Sequence, residues 1–305
     1  MKLGHLAVAF ALSLPLLSLA APVPKRTAKD AANQFFNAVE KGKGGNTSVF
    51  WYLPEVDVIR ELTSHFASEN ARRRGLAIEV TQMRGHRAKD PAARRLAAEA
   101  LLKHAVNKSG AEKREVASAL HALTKFRKAD FPPKAGEAVA KFVREIDPPN
   151  AALILAGLLD VKDVTDNLKR LAAPVAGQSP FLNPQWSANL ALARLGDADA
   201  AKHCVATIAG EKDTGQRTRH FEELVYIRQE VALKGLIEQL RSEELLPALK
   251  PNVPGSPVSY RALTVLAESV EGFPVKSESG PTYTTEQLAA ARKWATEKKQ
   301  PKWKE

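Results

Sequence analysis

An all-α fold is predicted by three features of this sequence. Only 6% of its 305 residues are aromatic. Alanine, leucine, glutamate, lysine and arginine are abundant and β-branched runs are scarce, which favours helix because unbranched side chains lose little freedom there. Proline and glycine, 19 and 17 in number, cut the chain into stretches about one helix long. At 44% hydrophobic and 26% charged, the composition suits a folded chain with a sizeable core.

The first stretch, MKLGHLAVAFALSLPLLSLA, has one basic residue (Lys2), an uncharged run from Leu6 to Leu19, and small residues at Ser18 and Ala20. This is the pattern of a secretory signal peptide over residues 1–20, with the mature chain expected to begin at Ala21. The run is short for a membrane span and contains Pro15; an uncleaved N-terminal anchor is the alternative. Once the signal is removed, no transmembrane segment is expected. Losing Lys2 and no acidic residue takes the formal charge from +11 to +10. A basic exported chain meets anionic envelope polymers, acidic proteins or lipid headgroups.

Thr27 and Asp30 form a capping pair for a helix carrying Phe35, Phe36 and Val39, which Gly42 to Asn46 end. Pro54 opens a segment with Val58, Ile59, Leu62 and Phe66. Asp90 as N-cap and Pro91 as first helical residue start the next helix. Val116, Leu120 and Leu123 line one face of its successor. Helix-sized segments follow from Pro132, from Pro148 and from Asp163. The triple Phe50-Trp51-Tyr52 is expected to pack beneath an N-terminal cap, with a recognition platform as the alternative.

Repetition then emerges. Shifting the chain by 37 lays Leu155 on Leu192, Asp160 on Asp197, Leu168 on Val205 and Leu171 on Ile208. A shift of 32 lays Leu192 on Leu224, Ala200 on Ala232, Val205 on Ile237 and Ile208 on Leu240. Each unit is a helical hairpin that cannot bury its apolar face alone, so neighbours must stack. With L-x-x-L in the first helix, Asp in the turn and an Ala-rich second helix, these units resemble HEAT repeats of the short, exported bacterial kind. The resemblance implies an α-solenoid of stacked antiparallel hairpins, an α-α superhelix, over residues 90–298. A cap over 21–89 would precede it, and a basic tail over 299–305 would follow.

Chemistry is sparse in the sequence. "GKGGNT" lacks the end of a phosphate loop, and neither G-x-S-x-G nor H-E-x-x-H occurs. Cys204 is the only cysteine, so no internal disulfide can form, and its helical position predicts a buried, inert thiol. His203 beside it points about 100° away, which suits no shared metal. No cofactor, metal or catalytic set is expected; HEAT-like lyases share the repeat, but fold analogy supplies no site. The densest basic region holds Arg72, Arg73 and Arg74 with Arg84, Arg87, Arg94 and Arg95. It reads as a solvated helix end and loop, or as an anion-binding patch. Lys202 and Lys234 are equivalent under the shift of 32 and form part of a row, with Lys169 and Arg170 near the place where Thr165 breaks it.

The expectation is therefore a non-catalytic exported scaffold, periplasmic or secreted, that binds a protein or an anionic macromolecule through its concave face. Polyanion binding by the basic surface is the alternative, and the export signal argues against nucleic acid.

Overall fold

A computed structural model describes residues 26–43, 45–108, 112–174, 176–248, 255–276, 283–297 and 301–304. The signal segment lies outside them. Among the described residues the protein is all-helical, with no strand and only isolated bridges at Leu245–Pro257 and Val270–Trp303. The chain divides into two compact units, residues 1–53 and 54–305.

The first unit contains α1 (Ala28–Glu40). Its start is a reciprocal cap: the Asp30 amide donates to Thr27 Oγ1 at 3.1 Å, and the Thr27 amide donates to Asp30 Oδ2 at 3.1 Å. Its end closes through Gly42 at φ 72°, with the Lys43 amide donating to the Ala38 carbonyl at 2.9 Å. The Phe35 ring lies 5.2 Å from Phe36 and 5.7 Å from Phe50, and all three side chains are buried. The aromatic triple splits, against expectation. Phe50 turns inward, while Trp51 and Tyr52 are 62% and 95% exposed, because the short 3-10 turn Thr47–Phe50 directs only one ring onto α1.

The second unit runs through α2 (Glu55–Ser64), α3 (Ala71–Gly85), α4 (Pro91–Lys108), α5 (Lys113–Leu123), α6 (Ala135–Val143), α7 (Asn150–Leu158) and α8 (Thr165–Ala172). It continues with α9 (Gln185–Arg194), α10 (Ala198–Gly210), α11 (Thr214–Arg219), α12 (Phe221–Ile227), α13 (Glu230–Glu238), α14 (Val258–Ser269) and α15 (Thr285–Glu297). Residues 54–89, which the sequence groups with a cap, pack here: α2 and α3 both contact α4. Further along, α5 touches α7, α7 touches α9, α9 touches α12 and α12 touches α14.

Every residue of α9 from Gln185 to Ala193 is buried, since α7, α8, α10 and α12 surround it. A helix so enclosed has no solvated face, and it carries small residues where neighbours approach, with the polar Gln185, Ser187 and Asn189 also buried at its start. Opposite it, Gly157 leaves no room for a side chain: a Cβ there would sit 3.0 Å from the Ala191 Cα. Asn189, buried in the same helix, satisfies its amide on the Gln185 carbonyl at 3.1 Å.

Of the six residues in the left-handed region among those described, Asp160 (φ 57°), Gly196 (φ 103°) and Arg228 (φ 56°) lie in the turns that close α7, α9 and α12. At the first, the Val161 amide donates to the Ala156 carbonyl at 2.9 Å; at the second, the Asp197 amide donates to Leu192 at 3.0 Å. The turns are thus 36 residues apart (160 to 196) and then 32 (196 to 228). The shift of 37 is corrected by one. Leu192 corresponds to Ala156 rather than Leu155, and Cys204 rather than Val205 corresponds to the buried Leu168. Leucine falls on leucine at the longer shift, but the backbone turn sets the register. The shift of 32 pairs buried with buried at Leu192 and Leu224, Ala200 and Ala232, Cys204 and Leu236, and Ile208 and Leu240, while the first helices differ elsewhere, as where buried Leu190 meets exposed Glu222. Cys204 is fully buried, and burial pushes its thiol up to about 12.

Three other helix starts share a device that joins an N-cap to an arginine four residues later. Asn70 caps α3 by accepting from the Arg72 and Arg73 amides, Asp90 caps α4 by accepting from Ala92, and Asp213 caps α11 by accepting from Gln216. Side chains lean toward a helix's N-terminus, so the arginine reaches back over the preceding connection. Arg94 Nη1 donates to the carbonyls of Ala88 (2.7 Å) and Lys89 (3.2 Å), while its Nε meets Asp130 Oδ1 at 2.9 Å. Arg217 likewise joins the Glu211 carbonyl (3.3 Å) to Glu244.

Arg74 uses all its N–H groups. Nη1 holds Ser68 O (2.9 Å) and Glu69 O (3.0 Å), Nε holds Glu115 Oε1 (2.8 Å), and Nη2 meets Glu112 Oε2 (3.1 Å) and Glu115 Oε1 (2.5 Å).

Candidate functional site

Arg74 therefore leaves the list of anion-binding candidates. Its side chain is 12% exposed, and a guanidinium with five donors engaged has none to offer a partner. Arg94 is committed in the same way to Asp130, whose side chain is 4% exposed. Arg72 stands exposed near the start of α3, and Arg73 is half-buried beside it. The basic region lies at the two ends of α3, with Arg72, Arg73 and Arg74 in its first turn and Arg84 in its last, continues through Arg87 in the connection, and ends with Arg94 and Arg95 early in α4.

Lys169 lines a cavity of about 320 Å³ together with Asp197, Asp199 and His203. Arg170 is exposed on the same helix. Lys202 lies 3.9 Å from Asp199, and Lys234 lies 2.7 Å from Glu230, whose carboxyl its ammonium holds below the usual range. The two lysines do stand on packed helices, for α10 contacts α13 and Val205 lies against Gly235. Each carries a carboxylate on its own helix. The row is therefore less cationic than the lysines alone suggest.

Lys234 also belongs to a cavity of about 560 Å³ with Arg228, Glu230, Leu233, Lys302 and Trp303. One wall is the turn between α12 and α13. The other is the C-terminal segment, which the sequence reads as a basic tail but which is tied down at 301–304. The Glu271 amide donates to the Lys302 carbonyl at 2.9 Å, the Lys304 amide donates to Ser269 at 2.8 Å, and Lys304 Nζ donates to Ala267 at 2.7 Å. From the opposite wall Arg228 Nη1 donates to the Lys304 carbonyl at 2.5 Å, and in return Trp303 Nε1 donates to the Gln229 carbonyl of that wall at 3.4 Å.

Arg228 is held in a conformation that costs a non-glycine residue about 1–2 kcal/mol, which surrounding contacts must over-determine. Its charge also bears on Arg194 below, whose guanidinium is lowered first by burial and then by Arg228. Arg194 lies 5.9 Å from the Tyr226 ring centre and donates to the Tyr226 carbonyl at 2.9 Å, while burial pushes the Tyr226 phenol upward and its hydroxyl donates to Ile154 O at 2.6 Å.

Among the described residues, three cations of this cavity face one carboxylate, and no carboxylate pairs with Arg228 or Lys302. Leu233 and the Trp303 indole supply apolar surface beside them. A site of this size and make-up suits an acidic group carried on an apolar or planar body. Arg228, Lys302 and Trp303 were not singled out in the sequence. A tryptophan between two lysines in PKWKE was the available signal, an aromatic interleaved with cations.

Among the described residues no group of three or more His, Cys, Asp or Glu is placed to hold a metal, and no helix is long and apolar enough to cross a membrane. No protein-family model matches the chain, and no curated protein is significantly similar to it.

Proposed function

We propose that this protein is an exported, non-catalytic helical-repeat scaffold of the HEAT type. Its C-terminal cavity grips an acidic group of a macromolecular partner. The excess of cations over carboxylate around Trp303 carries the binding reading. The solenoid reading is supported by the recurring left-handed turns, the matched burial at a spacing of 32, and the contact of each hairpin's first helix with the next. Lys169, Arg170, Lys202 and Arg72 are secondary to the cavity in this reading, since the first and third share Asp199's surroundings.

Immobilised poly-glutamate is the probe for the cavity. The chain from Ala21 should be retained, and Lys234→Glu with Lys302→Glu should elute at clearly lower salt with an unchanged unfolding midpoint. Equal elution by a folded double variant would remove the cavity from the binding surface. A steep dependence of affinity on salt would mark contact with a polyanion through many charges, and a shallow one a protein held by apolar contacts. Export forms part of the same reading. Intact-mass measurement from the native host should give a chain beginning at Ala21, and a soluble cytoplasmic chain beginning at Met1 would refute it.

A further inference from the structure

The connection between α6 and α7 carries Ile146 at 99% exposure, an isoleucine wholly in water at the tip of a turn. Its two sequence neighbours, Glu145 and Asp147, line a groove of about 580 Å³. The groove has an apolar stretch from Val116 and Ala117 of α5, continued by Pro149 and Pro184. One wall, from α5, carries Lys113 and His121; another, from the α6–α7 connection, carries the two acidic residues. Leu182, 45% exposed, immediately precedes the Asn183–Pro184 lip.

We infer that this corner is a two-fold dimer interface in which Ile146 of each copy enters the groove of the other. An isologous contact applies one patch to itself, so that patch must contain both a protrusion and its complement, and both signs of charge. This corner has all of them within one turn and one helix face. Ile146 cannot fill the groove of its own chain, being fully exposed at its edge. Across a two-fold axis, Lys113 of one copy faces Glu145 and Asp147 of the other, and the reverse holds. A different protein would have to supply the knob, the groove and both charges in matching positions; a second copy supplies them automatically. The inference is independent of the cavity at Trp303, which involves other helices.

Sedimentation velocity of the chain from Ala21 over a wide concentration range tests it. A concentration-dependent dimer is expected. Ile146→Asp should raise its dissociation constant about 30-fold or more, the scale of losing one central apolar anchor. The side chain is exposed, so the monomer should keep its helicity and unfolding midpoint. Lys113→Glu alone and Glu145→Lys alone should each weaken the dimer, and the variant carrying both should regain it. A monomer at every concentration, a dimer indifferent to Ile146→Asp, or a double variant no better than its parents would each overturn the inference.

Discussion

The connections around α3, α4 and α11 and those closing α7 and α9 solve one problem by different chemistry. After α7 and α9, Asp160 or Gly196 turns left-handed and the helix closes its own last carbonyls. The connections at 65–70, 86–90 and 211–213 contain no left-handed residue, and their carbonyls at Ser68, Glu69, Ala88, Lys89 and Glu211 take donors from outside, although Glu69 and Lys89 are exposed and only Ala88 is buried. A buried backbone acceptor cannot go unpaired without cost. Arginine, with a rigid fork of donors, supplies them and ties the connection to a carboxylate from a later segment. In the first kind of connection the backbone turn does most of the closing, with Lys128 on Asp160 and the Gln229 amide on the Ala193 and Asp197 carbonyls added from a distance; in the second an arginine cross-links the connection to a distant carboxylate.

The largest effect that tests this contrast is Arg94→Met. It strands the Asp130 carboxylate beneath the surface, and equilibrium urea unfolding should show a loss of about 3–5 kcal/mol, as for a broken buried pair. Adding Asp130→Asn should recover part of that loss, because the stranded charge disappears. No recovery would mean that the carbonyl contacts, and not the ion pair, hold the connection.

Next in size are Leu192→Ala and Leu224→Ala, equivalent at the spacing of 32, together with Leu155→Ala. All three side chains are buried, and each truncation should cost about 2–5 kcal/mol by the same measurement. Here no carboxylate change should compensate. Near-zero costs at both Leu192 and Leu224 would break the register assigned to the two hairpins.

The smallest effect is a difference in pH response between the regions. His104 in α4 is lowered from 6.5, chiefly by burial, and Glu112 is held at about 2, chiefly by hydrogen bonds from Lys108 and with Glu115. The folded state therefore binds fewer protons than the unfolded one, and stability should fall as pH drops from 6.5 for His104 and from 4.5 towards 2 for Glu112. Cys204 has the opposite sign. Its thiol is raised from 9.0 to about 12, so its contribution is present below pH 9 and is lost as pH rises through that interval. Urea midpoints against pH should show His104→Gln flattening the limb just below pH 6.5 and Cys204→Ala flattening only the alkaline limb. The two exchanging limbs would show that the contrast is misplaced.

Locality explains what the sequence revealed. The Thr27–Asp30 cap and the Asp90–Pro91 helix start are written within a few residues, and both appear where expected. Arg74 looked like surface charge because its carboxylates lie 38 and 41 residues away, and nothing near it announces them. Side-chain identity favours a register one residue too long, because the turn depends on which backbone residue goes left-handed. Trp303 and Arg228 come together from opposite walls of a cavity, 75 residues apart (228 to 303), so neither pattern alone could signal the site. The all-helical class was legible because it is a property of the whole composition.

Cys204 gives the molecule a built-in reporter. A thiol that is fully covered and held protonated is closed to alkylating reagents while α10 stays packed, so modification must wait for the helix to part from its neighbours. Because the chain has one cysteine, mass spectrometry would see a single adduct and ascribe it to one place. The labelling rate, followed against denaturant, then reads how often this helix opens and whether it does so alone or only when the whole chain unfolds.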